Sequence, residues 1–120
     1  MKKTNKNSNI KIVKLELFPY DIMVATECTV EQIKDRIIKF GIKLDAKREG
    51  YLRKSGLAHT IQMPNRAVLI YFVNKPSPGL VAHEVFHAVW MILATMGVEP
   101  SVESEEVYAY MIEYITNQII

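Results

Sequence analysis

An apolar run from Leu80 to Met96, LVAHEVFHAVWMILATM, carries the H-E-x-x-H sequence His83-Glu84-Val85-Phe86-His87. Positions i and i+4 of a helix lie one above the other on the same face. His83 and His87 can therefore offer two imidazole nitrogens to one metal ion. Glu84 directly follows the first histidine, so its carboxylate can reach a water on that metal and act as its general base.

The alternative interpretation makes these three residues ordinary core side chains. They interrupt a run that otherwise predicts a buried helix, and burying such groups without partners costs about 1–3 kcal/mol each. A bound metal removes much of that cost, and all three residues fall at the spacing of a metal site. The pattern therefore favours a metal site over a structural accident.

Length and composition predict one domain over residues 10–120, preceded by a basic, disordered tail over residues 1–9. The chain has 120 residues, 49% of them hydrophobic and 23% charged, as in ordinary globular proteins. A net charge of +2 is too small to indicate nucleic-acid binding by itself, and no basic motif interleaved with aromatic residues supports that partner. The one cysteine, Cys28, excludes an internal disulfide and fits a reducing compartment.

The start of the chain does not resemble a secretory signal, because residues 4–9 are polar where an apolar segment should begin. The run from Leu80 to Met96 is a poor membrane span, because it carries two histidines and a glutamate. These features predict an intracellular protein with no membrane partner.

The first half of the chain predicts strand and helix. Residues 10–26 are typical of strand, with a break near Pro19 and Asp21. Thr29-x-x-Gln32 is a capping box, and it opens a helix that Gly41 ends. The expected core face of that helix is Val30, Ile33, Ile37 and Phe40. Residues 42–57 predict a loop with one helical turn around residues 44–48.

The second half predicts a hairpin followed by two helices. Residues 58–63 and 67–73 are typical of strands, and Pro64-Asn65-Arg66 joins them. Ser77 and Pro78 open the helix that carries the H-E-x-x-H sequence, and Gly97 closes it. Ser101 is the expected cap of a last helix reaching about Gln118, with a core face of Val107, Met111, Ile115 and Ile119.

Two histidines leave a catalytic zinc site incomplete, because such sites have three protein ligands and a water. The start of the last helix offers Glu103, Glu105 and Glu106, although acidic residues are common at helix N-termini. Glu106 is preferred because it shares a helix face with Tyr110. His59 is the rival third ligand.

The H-E-x-x-H sequence resembles that of the zincin metallopeptidases, and a glutamate on the following helix resembles the gluzincin arrangement. The chain is similar to compact metallopeptidase domains of bacteria, phages and mobile elements that are related in plan to the ImmA/IrrE group. The resemblance covers residues 58–119, and residues 105–110 resemble the segment with the acidic ligand. It implies that His83, His87 and Glu106 bind one Zn²⁺ ion and that Glu84 is the catalytic base.

The expected fold is α+β and zincin-like, with a small, mostly antiparallel sheet packed on about three helices. The expected function is zinc-dependent hydrolysis of peptide bonds in the cytoplasm of a bacterium or a phage-infected host. Tyr108 and Tyr110 are candidate oxyanion donors, with aromatic packing as the alternative. The substrate, a peptide or protein, would add as a strand to the hairpin over residues 58–73. The alternative function is a metal-stabilised interaction protein without catalysis, such as a phage accessory or structural component.

Overall fold

The computed structural model describes residues 9–15, 18 and 20–120. The predicted tail therefore lies outside the described residues except for Asn9, and so does Pro19. In chain order, the described elements are β1 (Ile10–Val13), β2 (Ile22–Thr26), α1 (Val30–Ile38), α2 (Ala46–Leu52), β3 (Ala58–Gln62), β4 (Val68–Phe72), α3 (Pro78–Thr95) and α4 (Glu105–Ile119). The expected break in the first strand segment is confirmed, because β1 and β2 are separate strands.

Within the described residues, the four strands form one mixed sheet in the order β1-β2-β4-β3. β1 pairs with β2, and β3 pairs with β4, in antiparallel fashion, whereas β2 and β4 are parallel. The α+β class and the hairpin are therefore confirmed. The parallel central pair arises because α1, α2 and β3 separate β2 from β4 along the chain. β3 is left at the edge of the sheet.

β4 is buried along its whole length because helices cover both faces of the sheet. Val68, Ile70 and Phe72 point into a layer formed with α3 and α4. Leu69 and Tyr71 point into a second layer, formed with α1 and α2. This arrangement explains the unbroken apolar run in the sequence, since a strand that is covered on both faces has no polar side.

α1 begins as the capping box predicts. Thr29 accepts a hydrogen bond from the Gln32 backbone N–H, and the Gln32 side chain accepts one from the Thr29 N–H. The expected place of Phe40 in the core is wrong, because α1 ends at Ile38 and Phe40 is 54% exposed. The chain leaves the helix and turns at Gly41, whose φ is +75°, so the helical spacing no longer applies to Phe40.

The segment predicted as a loop with one helical turn contains α2, a helix of seven residues. Asp45 caps it by accepting a hydrogen bond from the Arg48 N–H at 2.8 Å. Together with α1, α3 and α4, it makes four helices in the part of the chain that the structure describes, rather than about three. None of them combines the length and the apolar character that crossing a membrane requires.

α3 and α4 cover the face of the sheet opposite α1 and α2. Ser77 caps α3 as predicted, accepting a hydrogen bond from the Leu80 N–H at 3.2 Å. Ser101 is not the cap of α4, because the helix begins later, after Ser104. The hydroxyls of these two serines bond within the preceding turn, which holds that turn outside the helix. On the predicted core face, Met111 and Ile115 are buried, while Val107 and Ile119 are partly buried.

Candidate metal centre

α3 packs against the sheet with one side and exposes the other. Its buried residues are Val81, Glu84, Val85, Ala88, Val89, Ile92 and Leu93. His83 and His87 are exposed, with 65% of the His83 side chain accessible. The expectation that all three polar residues of H-E-x-x-H are buried is therefore correct only for Glu84. The burial cost calculated from the sequence applies to the carboxylate and not to the imidazoles.

The two imidazoles meet on the exposed side of α3. Their Nε2 atoms lie 3.3 Å apart, and their ring centroids are 4.9 Å apart with a near-perpendicular interplanar angle of 74°. Two nitrogens bound to zinc at ordinary bond lengths and tetrahedral angles are separated by about 3.3–3.4 Å. The spacing of His83 and His87 therefore matches one edge of a zinc coordination tetrahedron.

Glu84 lies beside this pair, and its side chain is only 8% exposed. Its Oε1 accepts a hydrogen bond of 2.6 Å from the Thr60 hydroxyl of β3. Its Oε2 lies 3.9 Å from His83 Nε2, which is longer than the edge of a zinc tetrahedron. One ligand atom from each of His83, Glu84 and His87 lies within 4.8 Å of the others, a grouping that could hold a metal ion. The longer distance to Glu84 suits a base beside the metal better than a third ligand.

Within the part of the chain that the structure describes, Thr60 is a site residue that sequence reasoning missed. It lies 24 residues before Glu84, on a different element, and no motif links the two positions. Only the packing of α3 on β3 brings the hydroxyl to the carboxylate. An alternating strand pattern can indicate that Thr60 faces the helices, but it cannot identify which helical residue it meets.

The predicted third ligand lies outside this group. Glu106 is exposed in the first turn of α4, on the side opposite Met111 and Ile115, which are buried against the core. Glu103 and Glu105 are exposed as well, and the group described above includes neither of them. The role of Glu106 as a ligand stays a prediction.

His59, the rival ligand, lies on β3 directly before Thr60. Neighbouring side chains of a strand point to opposite faces, so His59 points away from Glu84. Its Nε2 lies 3.0 Å from the Lys54 carbonyl oxygen, and its ring is 6.4 Å from that of Tyr71. The structure therefore does not bring His59 to the histidine pair.

The two tyrosines proposed as oxyanion donors occupy different surroundings. Tyr108 is buried and donates its hydroxyl hydrogen to the Val98 carbonyl at 2.9 Å, and burial raises its pKa. Its ring lies 6.4 Å from that of Trp90, so it also serves the packing of α4 on α3. Tyr110 is 65% exposed on the outer side of α4. A catalytic role for Tyr110 stays a prediction.

The free edge of β3 runs past Glu84. Val73 N–H bonds to Leu57 C=O, and Met63 N–H bonds to Ala67 C=O, so the odd-numbered residues of this segment pair with β4. In an antiparallel pair these positions alternate, so the backbone groups of Ala58, Thr60 and Gln62 point away from the sheet. Arg48 confirms this orientation, because its Nε donates to the Gln62 carbonyl. A strand added to this edge would lie beside Glu84.

Comparisons with models of protein families, with curated proteins and with solved structures found no match. The resemblance to the zincins therefore stays a prediction from the H-E-x-x-H residues.

Proposed function

We propose that this chain is a zinc-dependent metallopeptidase that binds one zinc ion through His83 and His87 and uses Glu84 as its general base. The observation that carries the proposal is the 3.3 Å separation of the two Nε2 atoms, with a buried carboxylate beside them. Two exposed histidines meeting at the edge length of a zinc tetrahedron fit a shared metal better than ordinary core packing. Glu106 is the proposed third ligand, and its carboxylate has to approach the pair because it lies outside the group formed by His83, Glu84 and His87.

The bound zinc would supply a Lewis acid that polarises the scissile carbonyl and lowers the pKa of the attacking water. Glu84 takes the proton of that water and later gives it to the leaving amine. Oε1 of Glu84 already accepts a hydrogen bond from the Thr60 hydroxyl, whereas Oε2 lies on the side of His83. We therefore assign the uptake of the proton to Oε2. The Thr60 side chain thereby orients the base, while the Thr60 backbone remains available to the substrate.

The substrate of the proposed enzyme is a peptide in extended form. The outward backbone groups of Ala58 and Thr60 can pair with such a strand. The Thr60 side chain contacts Glu84, so a peptide paired at this position has its backbone next to the base. Residues of the hairpin thus bind the substrate, and residues of α3 perform the chemistry.

Zinc binding is the first test of the proposal. We expect one zinc per wild-type chain by elemental analysis, and a loss of affinity of more than about a hundredfold for His83→Ala, since losing even an outer partner of a ligand costs 10–100-fold. Glu106→Gln should also weaken binding. Glu84→Gln should keep the zinc if Glu84 is the base, and lose it if Glu84 is the third ligand. His59→Ala is the matched control and should bind zinc like the wild type.

Peptide hydrolysis is the second test. Zinc-loaded wild type, incubated with a diverse peptide mixture, should generate new N-termini detectable by mass spectrometry, and zinc-loaded Glu84→Gln should not. Wild-type protein that takes up no zinc, even with zinc added, would refute the metal site. Equal cleavage by wild type and Glu84→Gln would refute the role of the base.

A metal-stabilised interaction protein is the alternative function. It is favoured by the aromatic residues beside the histidines, because Phe86 and Trp90 are 43% and 47% exposed on the same side of α3. The Phe86 ring lies 6.3 Å from His87 and 5.7 Å from Trp90. If this alternative is correct, the wild type binds zinc, but neither the wild type nor Glu84→Gln cleaves any peptide.

A further inference from the structure

A cleft of about 460 Å³ lies at the free edge of β3, between α2 and α3. Its lining consists of three residues of α2, three consecutive residues of β3 and one residue of α3: Lys47, Arg48, Tyr51, Thr60, Ile61, Gln62 and Met91. α2 covers one face of the sheet and α3 covers the other, so the two helices flank the edge strand from both sides. The cleft adjoins the candidate metal centre, because Thr60 lines the cleft and its hydroxyl also contacts Glu84.

The end of this cleft is closed to further strand pairing. Arg48 donates from Nε to the outward carbonyl of Gln62, where the next hydrogen bond to an added strand would form. The Arg48 guanidinium also pairs with Asp45, with Nη1 at 2.6 Å from Oδ2. Arg48 is therefore held in place, and its charge is already balanced.

Lys47 differs from Arg48 in this respect. It is an exposed residue of the cleft wall, and it takes part in none of the ion pairs within the described residues. Lys47 and Arg48 share the single carboxylate of Asp45, which leaves a net positive charge on this wall. Lys54 adds a further cation at the edge of the cleft, 5.2 Å from the ring centroid of Tyr51. Charge complementarity favours an anionic group on whatever binds there.

We propose that this cleft binds a carboxylate of an extended peptide through Lys47, so that Lys47 sets the specificity of the site. The proposal rests on the proposed function in taking a peptide strand as the occupant. The carboxylate has two possible sources, an Asp or Glu side chain or the C-terminus of the peptide. Arg48 favours a peptide that ends near this point, because it closes the strand edge.

Lys47 lies on α2, and the part of β3 that lines the cleft limits which substrate residue Lys47 can meet. Thr60 and Gln62 are two residues apart, which is about 7 Å along a strand. Thr60 contacts the base, whereas Gln62 marks the end of the cleft at Arg48. The carboxylate therefore belongs within about two residues of the bond beside Glu84, between Thr60 and the end of the cleft at Arg48.

Binding of three synthetic hexapeptides to the full chain, with and without added zinc, tests the proposal. All three alternate Val and Thr. The first peptide has one Glu and both ends blocked. The second has Gln in place of that Glu and both ends blocked. The third also has Gln, but its C-terminal carboxylate is free. Affinity is measured from the shifts of the Ala58 and Thr60 amide resonances in NMR spectra. Mass spectrometry of the same samples reports cleavage separately.

We expect the first or the third peptide to bind about three- to fivefold more tightly than the second, the size of an exposed ion pair. Whichever does so identifies the source of the carboxylate. Lys47→Gln should abolish the preference, whereas Lys39→Gln, which replaces a lysine outside the cleft, should keep it.

The proposal is overturned if all three peptides bind equally, if Lys47→Gln keeps the preference, or if no peptide shifts these resonances at millimolar concentration. A preference without cleavage would contradict the peptidase function alone, whereas cleavage without a preference would contradict only the role of Lys47.

Discussion

The environment of single residues separates the roles within H-E-x-x-H. Glu84 is buried and held by a hydroxyl, whereas His83 and His87 are exposed and meet each other. A carboxylate held on one oxygen has a defined orientation, and two exposed imidazoles are accessible to a metal from solution. This difference in environment fits the proposed division into one base and two ligands, which the motif alone also suggests.

Replacing Thr60 tests how Glu84 is held. We expect Thr60→Val to lower the free energy of unfolding by about 1–3 kcal/mol, because a buried acceptor loses its partner. Thr60→Ser keeps the hydroxyl and should retain most of the stability. Urea denaturation measures both. Equal stability of the wild type and Thr60→Val would show that Glu84 does not depend on this hydrogen bond.

Two helices on the far face of the sheet are joined by charged side chains. Arg53 of α2 pairs with Glu49 on its own helix and with Glu31 of α1, while Lys34 of α1 pairs with Glu49. Hydrogen bonds from Lys34 and then Arg53 lower the pKa of Glu49, and the bond from Arg53 lowers that of Glu31. These pairs hold α2 beside α1 and so support one wall of the cleft.

The pH dependence of stability follows from these lowered pKa values. A carboxyl whose pKa is lower in the folded state stabilises the fold above its ordinary pKa of 4.5, and this contribution disappears as the pH falls through the lowered value. We therefore expect Arg53→Ala to be slightly less stable than wild type at neutral pH, with the difference shrinking as the pH falls below 4.5. The size is small because Glu31 and Arg53 are exposed and Glu49 is only partly buried.

Urea midpoints over a pH series measure this effect. Lys39→Ala, at the exposed end of α1, is the matched control and should follow the wild type at every pH. A difference between Arg53→Ala and wild type that grows on acidification would contradict the assignment of these pairs.

On the scale of the whole molecule, β4 joins two apolar layers. Leu69 and Ile70 are neighbours in sequence and are both fully buried, but they point to opposite faces of the sheet. The layers share this strand and the parallel pair that it forms with β2. The predicted single domain implies that they unfold together.

Truncation on either face of β4 tests this cooperativity. We expect Leu69→Ala and Ile70→Ala each to lower the free energy of unfolding by about 2–5 kcal/mol. Trp90 fluorescence should report both losses, although Trp90 lies on the α3 side only. Leu57→Ala, at a residue 66% exposed, should change little. If Trp90 fluorescence does not respond to Leu69→Ala, the two layers unfold separately.

Local hydrogen bonds made the elements predictable. The caps at Thr29 and Ser77 and the spacing of His83 and His87 involve residues three or four positions apart. Ser101 shows the limit of this approach, because the residue that directly precedes α4 is Ser104, and the two serines bond to each other. Their competition depends on how the preceding turn packs.

The amino-acid sequence was sufficient for the α+β class, the hairpin and a histidine pair on one helix, because each depends on contacts within a few residues. Tertiary structure was required for the contact of Thr60 with Glu84, the parallel pairing of β2 with β4, and the cleft beside Lys47. Glu106 is a further example. Helical spacing predicts which residues share its side of α4, but only the packing of α4 shows that this side faces away from the core. These features join residues distant in the chain, and their partners are chosen by the burial of apolar layers rather than by local spacing.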